Sequence, residues 1–237
     1  TKNDDFDSVS YNSGKSYVVD GGDTNASDSN PGTEGLPFKT IQRACDLANP
    51  GDVVYVKASA VYQGELSIIR SGDSEHLIAI KNWGDVRPVI NGVGKNQVVF
   101  IRGSHLRFKG FDVIGGKYGI RVGPITTPAY DPNTLQPVNV VIEDNVVNDG
   151  KSMSSSPAPY WGIVVGGISE NFITLMHDVT VQKNTILIHE PGSTSAGQTS
   201  GPGIILLRAN EGHVIRNNRI VFTGTVEDNG ISVYGHI

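Results

Sequence analysis

One short phrase that recurs down the second half of the chain limits the folds open to it more than any other feature. Val140-Val141-Ile142-Glu143-Asp144-Asn145-Val146-Val147 is the first clear copy. Val179-Thr180-Val181-Gln182-Lys183-Asn184-Thr185-Ile186 is the second, and His213-Val214-Ile215-Arg216-Asn217-Asn218-Arg219-Ile220 the third. Each reads apolar (once His), any, apolar, any, any, Asn, any, apolar. The stretch from Leu106 to Val113 fits it with Phe111 in the Asn place. A second phrase, Gly followed by apolar alternation, interleaves with the first and begins at Gly119, Gly162, Gly203 and Gly230. Repeats at this scale, each with two or three short strands, mean a solenoid whose units bury their apolar faces only against their neighbours.

The repeat overrides what length alone suggests. A chain of 237 residues suits one or two ordinary domains; a solenoid makes it a single elongated one. The 29 Gly and 12 Pro, without a low-complexity tract, supply turns rather than disorder. No apolar run is long enough to cross a bilayer. The net charge of −5, with no basic cluster, argues against nucleic acid as a partner. The single cysteine, Cys45, rules out an intrachain disulfide and a CxxC metal site. The polar opening Thr1-Lys2-Asn3-Asp4-Asp5 is not a signal peptide, though one could have preceded it. A secreted chain without disulfides is more typical of bacteria than of an animal extracellular module.

Residues 1–16 are polar and read as a flexible N-terminal segment, with the folded domain spanning 17–237. Ile41, Ala44, Cys45, Leu47 and Ala48 recur at helical spacing, Thr40 is a fair N-cap, and Asn49-Pro50-Gly51 stops the helix. One short amphipathic helix is expected there, with Cys45 on its buried face. After Asp52 the helical period disappears. Short apolar strands bounded by Gly, Asn, Asp and Ser follow, and no hairpin signature joins them, which favours parallel stacking. A coil of about twenty-two residues carrying three strands is what a parallel β-helix needs. In such a coil Asn tolerates left-handed backbone angles at a tight turn. Stacked Asn145, Asn184 and Asn218 could then hydrogen-bond along the axis as a ladder.

The chain resembles the right-handed parallel β-helix superfamily, in particular its polysaccharide-lyase-like branch, the pectate and alginate lyases. The residues that carry the likeness are Tyr17-Val18-Val19-Asp20, Ser27-Asp28-Ser29-Asn30-Pro31-Gly32-Thr33, Pro37-Phe38-Lys39-Thr40-Ile41-Gln42, Asn49-Pro50-Gly51-Asp52-Val53-Val54-Tyr55-Val56, Arg70-Ser71-Gly72 and Pro88-Val89-Ile90-Asn91-Gly92. The resemblance implies an all-β fold, a single right-handed parallel β-helix of about five to six coils, with the helix near 40–48 capping the first one. It implies an extracellular protein, secreted or at the cell surface, that cleaves a uronic-acid-containing polysaccharide by β-elimination. Members of this superfamily also include epimerases, glycosidases and non-catalytic surface proteins. The alternative is therefore a non-catalytic carbohydrate-binding or adhesive surface or fibre domain.

β-Elimination needs a cation to neutralise the C5 carboxylate, a base for the C5 proton and a donor for the leaving oxygen. In lyases of this fold the site lies on the strand after the long insertions, here the Gly-apolar strand. Period two puts Arg121, Val164, Ile205 and Ser232 on its outer face, and only Arg121 is chemically active in that row. Lys117 as base, Tyr118 as donor and Arg121 as carboxylate clamp would make a workable set. The plainer reading, a solvated Lys and Arg with a Tyr packed over a turn, arises by chance more often. Tyr130, Tyr160 and Trp161 lie in or beside insertions, where exposed aromatic rings stack on sugars; equally, Trp161 could pin its own insertion. No closely spaced Asp cluster of the calcium-binding kind lies on the exposed strand face, so no metal residues are assigned. The oxygen-rich run Asp20, Asp23, Asn25, Ser27, Asp28 and Asn30 could hold calcium, and Asx turns explain it as well. The six histidines form no metal-ligand spacing and read as turn or surface residues. The sequence ends on the apolar strand near Ile231 with nothing after it to close the last coil. That predicts a truncated chain, or self-association through the C-terminal coil.

Overall fold

The computed structural model describes residues 14–123, 137–150, 160–166, 176–189, 202–207, 212–223 and 230–234. Strand β1 (Ser16–Val19) precedes helix α1 (Ile41–Leu47). Six coils of three strands follow. The first is β2 (Val53–Val56), β3 (Val61–Gln63) and β4 (Leu66–Ile68); the second is β5 (Ile78–Asn82), β6 (Val89–Asn91) and β7 (Gln97–Ile101). The third is β8 (Leu106–Lys109), β9 (Asp112–Ile114) and β10 (Tyr118–Val122); the fourth is β11 (Val138–Glu143), β12 (Val146–Asn148) and β13 (Trp161–Gly166). The fifth is β14 (His177–Gln182), β15 (Thr185–His189) and β16 (Ile204–Leu207); the sixth is β17 (Val214–Arg216), β18 (Arg219–Thr223) and β19 (Ile231–Tyr234).

Strands stack by their place in the coil. The first sheet runs β1-β2-β5-β8-β11-β14-β17, the second β3-β6-β9-β12-β15-β18 and the third β4-β7-β10-β13-β16-β19. Neighbours pair in parallel, with the repeated phrase in register: Leu106 beside Val140 beside Val179, and Phe108 beside Ile142 beside Val181. This is the expected parallel β-helix, right-handed as strand–crossover–strand connections are. Its interior is rows of like apolar residues. Val54, Ile80, Phe108, Ile142 and Val181 line the first sheet; Val99, Ile120, Ile163 and Ile204 line the third.

Helix α1 forms as its spacing predicts. The Thr40 hydroxyl accepts from the Arg43 amide, and Ile41, Ala44 and Cys45 are buried. Burial pushes the Cys45 thiol up to about 12, so it packs as an apolar group. The helix packs on β1, β2 and β4 and closes the first coil. The last residues of the segment expected to be loose, 1–16, are ordered. Lys15 donates its amide to Asp52 Oδ1 at 2.6 Å, and Ser16 already pairs with Val53. Residues 1–13 lie outside the described residues.

The turn between first and second sheets is two residues long in the last four coils: Gly110-Phe111, Asp144-Asn145, Lys183-Asn184 and Asn217-Asn218. Here the sequence expectation needs a correction. The left-handed residue is not the Asn but the one before it: Gly110 (φ 81°), Asp144 (φ 53°), Lys183 (φ 55°) and Asn217 (φ 55°). That residue turns the chain, which frees the next side chain to point inward. The Asn ladder itself is present. Asn145 Nδ2 donates to Asn184 Oδ1 (3.1 Å), and Asn184 Nδ2 donates to Asn218 Oδ1 (3.0 Å). Each Asn Oδ1 also accepts the backbone amide of the preceding coil's turn, from Phe111, Asn145 and Asn184 in order. Each Nδ2 reaches back to a carbonyl of the preceding coil: Phe108, Ile142 and Val181. Phe111 ends the ladder by stacking on Phe108 at 4.4 Å.

Asn184 therefore uses both donors and both acceptor sites at 1% exposure. Asn184→Ala is expected to lower unfolding free energy by about 3 kcal/mol, because it strands the buried Asn145 amide and takes a donor from Ile142 O and from Asn218 Oδ1. Chemical denaturation checks this; an unchanged midpoint would remove the ladder from the stability of the fold.

Candidate active site

The corner between the second and third sheets collects the groups that could do chemistry. In the third coil, Gly115 (φ 81°) and Gly116 (φ 76°) make the bend. A Cβ on Gly115 would come within 2.8 Å of the Val93 backbone, so only Gly fits there. The chain then enters β10 with Lys117 and Tyr118, whose amides donate to Asn96 O at 3.0 and 2.9 Å. The Trp161 amide of the next coil donates to Lys117 O at 2.9 Å. The Tyr118 and Trp161 rings meet edge to face at 5.3 Å, and Lys117 Nζ lies 5.4 Å from the Tyr118 ring centre. Lys117 and Trp161 are half-buried; Tyr118 is buried.

The same corner carries an arrangement that sequence reasoning missed. Asp149 follows β12 in the fourth coil and has a fully buried carboxylate. Its Oδ1 lies 2.9 Å from Nδ1 of His189, the last residue of β15, and its Oδ2 accepts the His189 amide at 2.7 Å. An ionised Asp149 makes Nδ1–H the donor, which leaves the lone pair on Nε2. The His189 side chain is 40% exposed. A buried carboxylate that fixes the tautomer and aim of an exposed imidazole is the pairing general-base catalysis uses. His189, read from the sequence as a turn or surface residue, sits at the end of a strand and is paired with Asp149. The signal was present but faint. Asp149 follows the ladder residue Asn145 by four positions and His189 follows Asn184 by five, so alignment on the Asn puts both at one corner.

Arg121 corrects another expectation. It points outward from the third sheet as its alternation requires, yet it is 3% exposed rather than solvated. Its guanidinium stacks 4.6 Å from the Phe100 ring centre and lies 3.5 Å from Gln97 Oε1. Gln97 in turn donates to Glu65 at 2.6 Å. Burial pushes the Arg121 pKa down. Val164 and Ile205 of the same outer row are buried as well, with Tyr118, Trp161 and Leu207 packed against them. The outer row is a second small core and not an open apolar face.

Tyr160 is corrected too. It is 1% exposed and belongs to the main core, so it offers no sugar platform. Its hydroxyl pKa is raised well above 10 by burial and the Asp149 charge. Tyr130 lies outside the described residues.

The oxygen-rich N-terminal loop is tied up by the chain itself. Asp20 binds Ser59 and Lys57, Asp28 accepts from Lys39, Thr40 and the Thr40 hydroxyl, and Asp23 and Ser27 cap local turns. Among the described residues no three His, Cys, Asp or Glu side chains are grouped to hold a metal. This donor set does not fit a calcium cage, so no chemistry is assigned to a metal here. Nor, among the described residues, is any helix long and apolar enough to cross a membrane.

No protein-family model and no curated protein matches the chain. Solved structures do. The chain is similar to the pectate lyase Pel9A at 14% identity and a TM-score of 0.52, over 88% of this chain and 52% of that one. It is similar to a mannuronic acid specific polysaccharide family 6 lyase from human gut microbiota at 13% identity and a TM-score of 0.52, over 93% and 51%. An alginate lyase from Paenibacillus sp. str. FPU-7 gives 14% identity and a TM-score of 0.48, over 86% and 75%. The chain spans about half the length of the first two. The likeness establishes a class by fold: a parallel β-helix of the architecture seen in polysaccharide lyases.

The Tyr160 hydroxyl has no hydrogen-bond partner among the described residues. Tyr160→Phe removes a buried, unsatisfied group and is expected to leave stability unchanged or raise it by about 1 kcal/mol. Thermal unfolding measures this; a clear loss of stability would mean that the hydroxyl is bonded.

Proposed function

We propose that this chain is an extracellular carbohydrate-active protein that cleaves a uronic-acid-containing polysaccharide by β-elimination at the corner between its second and third sheets. The observation that carries the reading is the Asp149–His189 pair, set on the same corner as Lys117 and Trp161. Lys117, Trp161 and His189 stand on the third, fourth and fifth coils. Coils are about 4.8 Å apart, so a polymer laid along the axis would cross all three within roughly 10 Å. The shared fold with a pectate lyase and a mannuronic acid specific lyase supports a uronate as substrate.

In this reading Trp161 offers its exposed part to a sugar ring and Lys117 neutralises the C5 carboxylate. His189 Nε2 takes the C5 proton. The electron pair left on C5 forms the C4–C5 double bond as the C4–O4 bond breaks, and the leaving oxygen takes a proton from the imidazolium or from water. Asp149 holds the imidazole and stabilises its charge. Tyr118 and Arg121, both buried, are positioning residues: Tyr118 carries Lys117 and Trp161 against its ring, and Arg121 stiffens the row behind them.

Ultraviolet absorbance of unsaturated ends, followed on polygalacturonate and polymannuronate, tests the reading. The wild type is expected to produce the signal. His189→Ala is expected to lower kcat by about 10²-fold or more, the usual size of a general-base contribution. Asp149→Asn is expected to do nearly as much, since its amide would favour the tautomer with the proton on Nε2. Both variants should keep the wild-type circular dichroism spectrum. Binding without turnover in the wild type would replace the enzyme reading with that of a carbohydrate-binding domain.

We also infer that the last coil associates with a second copy. Val214, Ile231 and Val233 are 41%, 49% and 68% exposed on β17 and β19, the outermost strands of the first and third sheets. Sedimentation velocity is expected to show concentration-dependent dimers that Val233→Lys weakens. A strict monomer at high concentration would end this inference.

A further inference from the structure

The outer face of the first sheet carries a second arrangement that the corner site does not use. Tyr55 on β2 and Trp83 just after β5 meet edge to face at 5.5 Å, and Trp83 is exposed. Lys57 Nζ lies 5.3 Å from the Trp83 ring centre, and Lys81 Nζ lies 5.7 Å from that of Tyr55. An open depression of 570 Å³ beside these rings is lined by Ser16, Val18, Thr33, Glu34, Tyr55 and Trp83. Along the axis the outward row runs Tyr55, Lys81, Lys109, Glu143, Gln182 and Arg216 in strict register.

Most charges on this face are balanced. Lys57 pairs with Asp20 at 3.3 Å and Glu34 at 3.8 Å. Arg107 is buried and donates to Glu143, and Lys183 reaches the other Glu143 oxygen at 3.3 Å. The exceptions are Lys81 and Lys109. They are register partners on β5 and β8, both half-buried, and among the described residues neither has a carboxylate at ion-pair distance. Lys109 acts at longer range, helping Arg107 hold the Glu143 pKa below its usual value. Two ammonium groups on strands about 4.8 Å apart repel each other, and such like-charge neighbours cost stability. In a chain of net charge −5 they are not part of a general positive surface.

We propose that this face binds a carboxylated polysaccharide, with a sugar ring on Trp83 and successive carboxylates on Lys81 and Lys109. An exposed aromatic ring fits the apolar face of a pyranose. Lysines repeated once per coil match a polymer that carries one carboxylate per sugar and runs along the axis. The ligand relieves the Lys81–Lys109 repulsion, which gives the face its preference for a polyanion. It lies on a different sheet from the corner site, shares no residue with it and needs no turnover. It would hold the polymer on the protein while the corner works, or anchor the protein to a gel.

The test is binding of the full chain to polygalacturonate, read by affinity electrophoresis and by calorimetry at low salt. Lys81→Gln/Lys109→Gln is expected to weaken binding about tenfold, as the loss of two charge contacts would. Trp83→Ala is expected to weaken it by a similar factor. Both variants should keep the wild-type circular dichroism spectrum, and Lys81→Gln/Lys109→Gln should melt no lower than the wild type. In the wild type, added sodium chloride should weaken polygalacturonate binding, and a neutral dextran should not bind. The single variants Lys81→Gln and Lys109→Gln, each expected to weaken binding about threefold, decide the matter if the double variant misfolds. Polygalacturonate affinity unchanged in both variants, or indifferent to salt, would overturn the proposal. So would a dextran that binds equally well, or a sulfated polymer that binds in place of the uronate.

Discussion

Axial hydrogen bonding between equivalent turns is the constraint on which the rest of this molecule depends. A coil of a β-helix has no interior of its own; it is finished only when the next coil lies on it in register. Backbone pairing alone would tolerate a slip, because every strand offers the same donors and acceptors. The Asn ladder does not. Asn184 must meet Asn145 on one side and Asn218 on the other, and its amide must reach Ile142 O. A one-residue slip would bury four unmatched polar groups at once. Register being fixed, like residues stack into rows, and the rows decide what each face is.

Much of the fold could be read from that phrase because it records the same physics. The inward positions had to be apolar, the turn had to be short and the Asn had to recur. The error over which residue is left-handed came from assigning one Asn two tasks. In the structure Lys183 takes the φ of 55° and Asn184 takes the hydrogen bonds. The site was less legible. Alternation along one strand correctly aims Arg121 outward. Its burial depends on Phe100 and Gln97, which lie one coil away on β7. Asp149 and His189 are 40 residues apart and look like unrelated polar residues until the coils are aligned. Exposure and partnership across coils are properties of the stack, and no single window contains them.

The ladder also explains where chemistry can sit. From the third coil on, the ladder corner admits two residues and nothing more. Every longer connection falls at the other two corners: 123–137, 149–160, 167–176, 190–203, 208–213 and 224–230. Those corners flank the third sheet, which puts the long connections at both of its edges. The Asp149–His189 pair lies where two of these connections leave. Asp149 follows the paired end of β12 and His189 ends β15, so ordered strands set both positions.

The first sheet shows the complementary case. Its outer face adjoins the ladder corner along one edge. What the described part of that face presents is strand residues, and strand residues repeat with the coil. A row of side chains about 4.8 Å apart suits a ligand that is itself periodic better than a compact one. Where the row carries Glu143 it is neutralised by Arg107 and Lys183 and turned into structure. Where it carries Lys81 and Lys109, neither has a carboxylate at ion-pair distance among the described residues. The same register that makes the core self-consistent thus forces like charges together on the surface, and a linear polyanion is the ligand whose geometry relieves that.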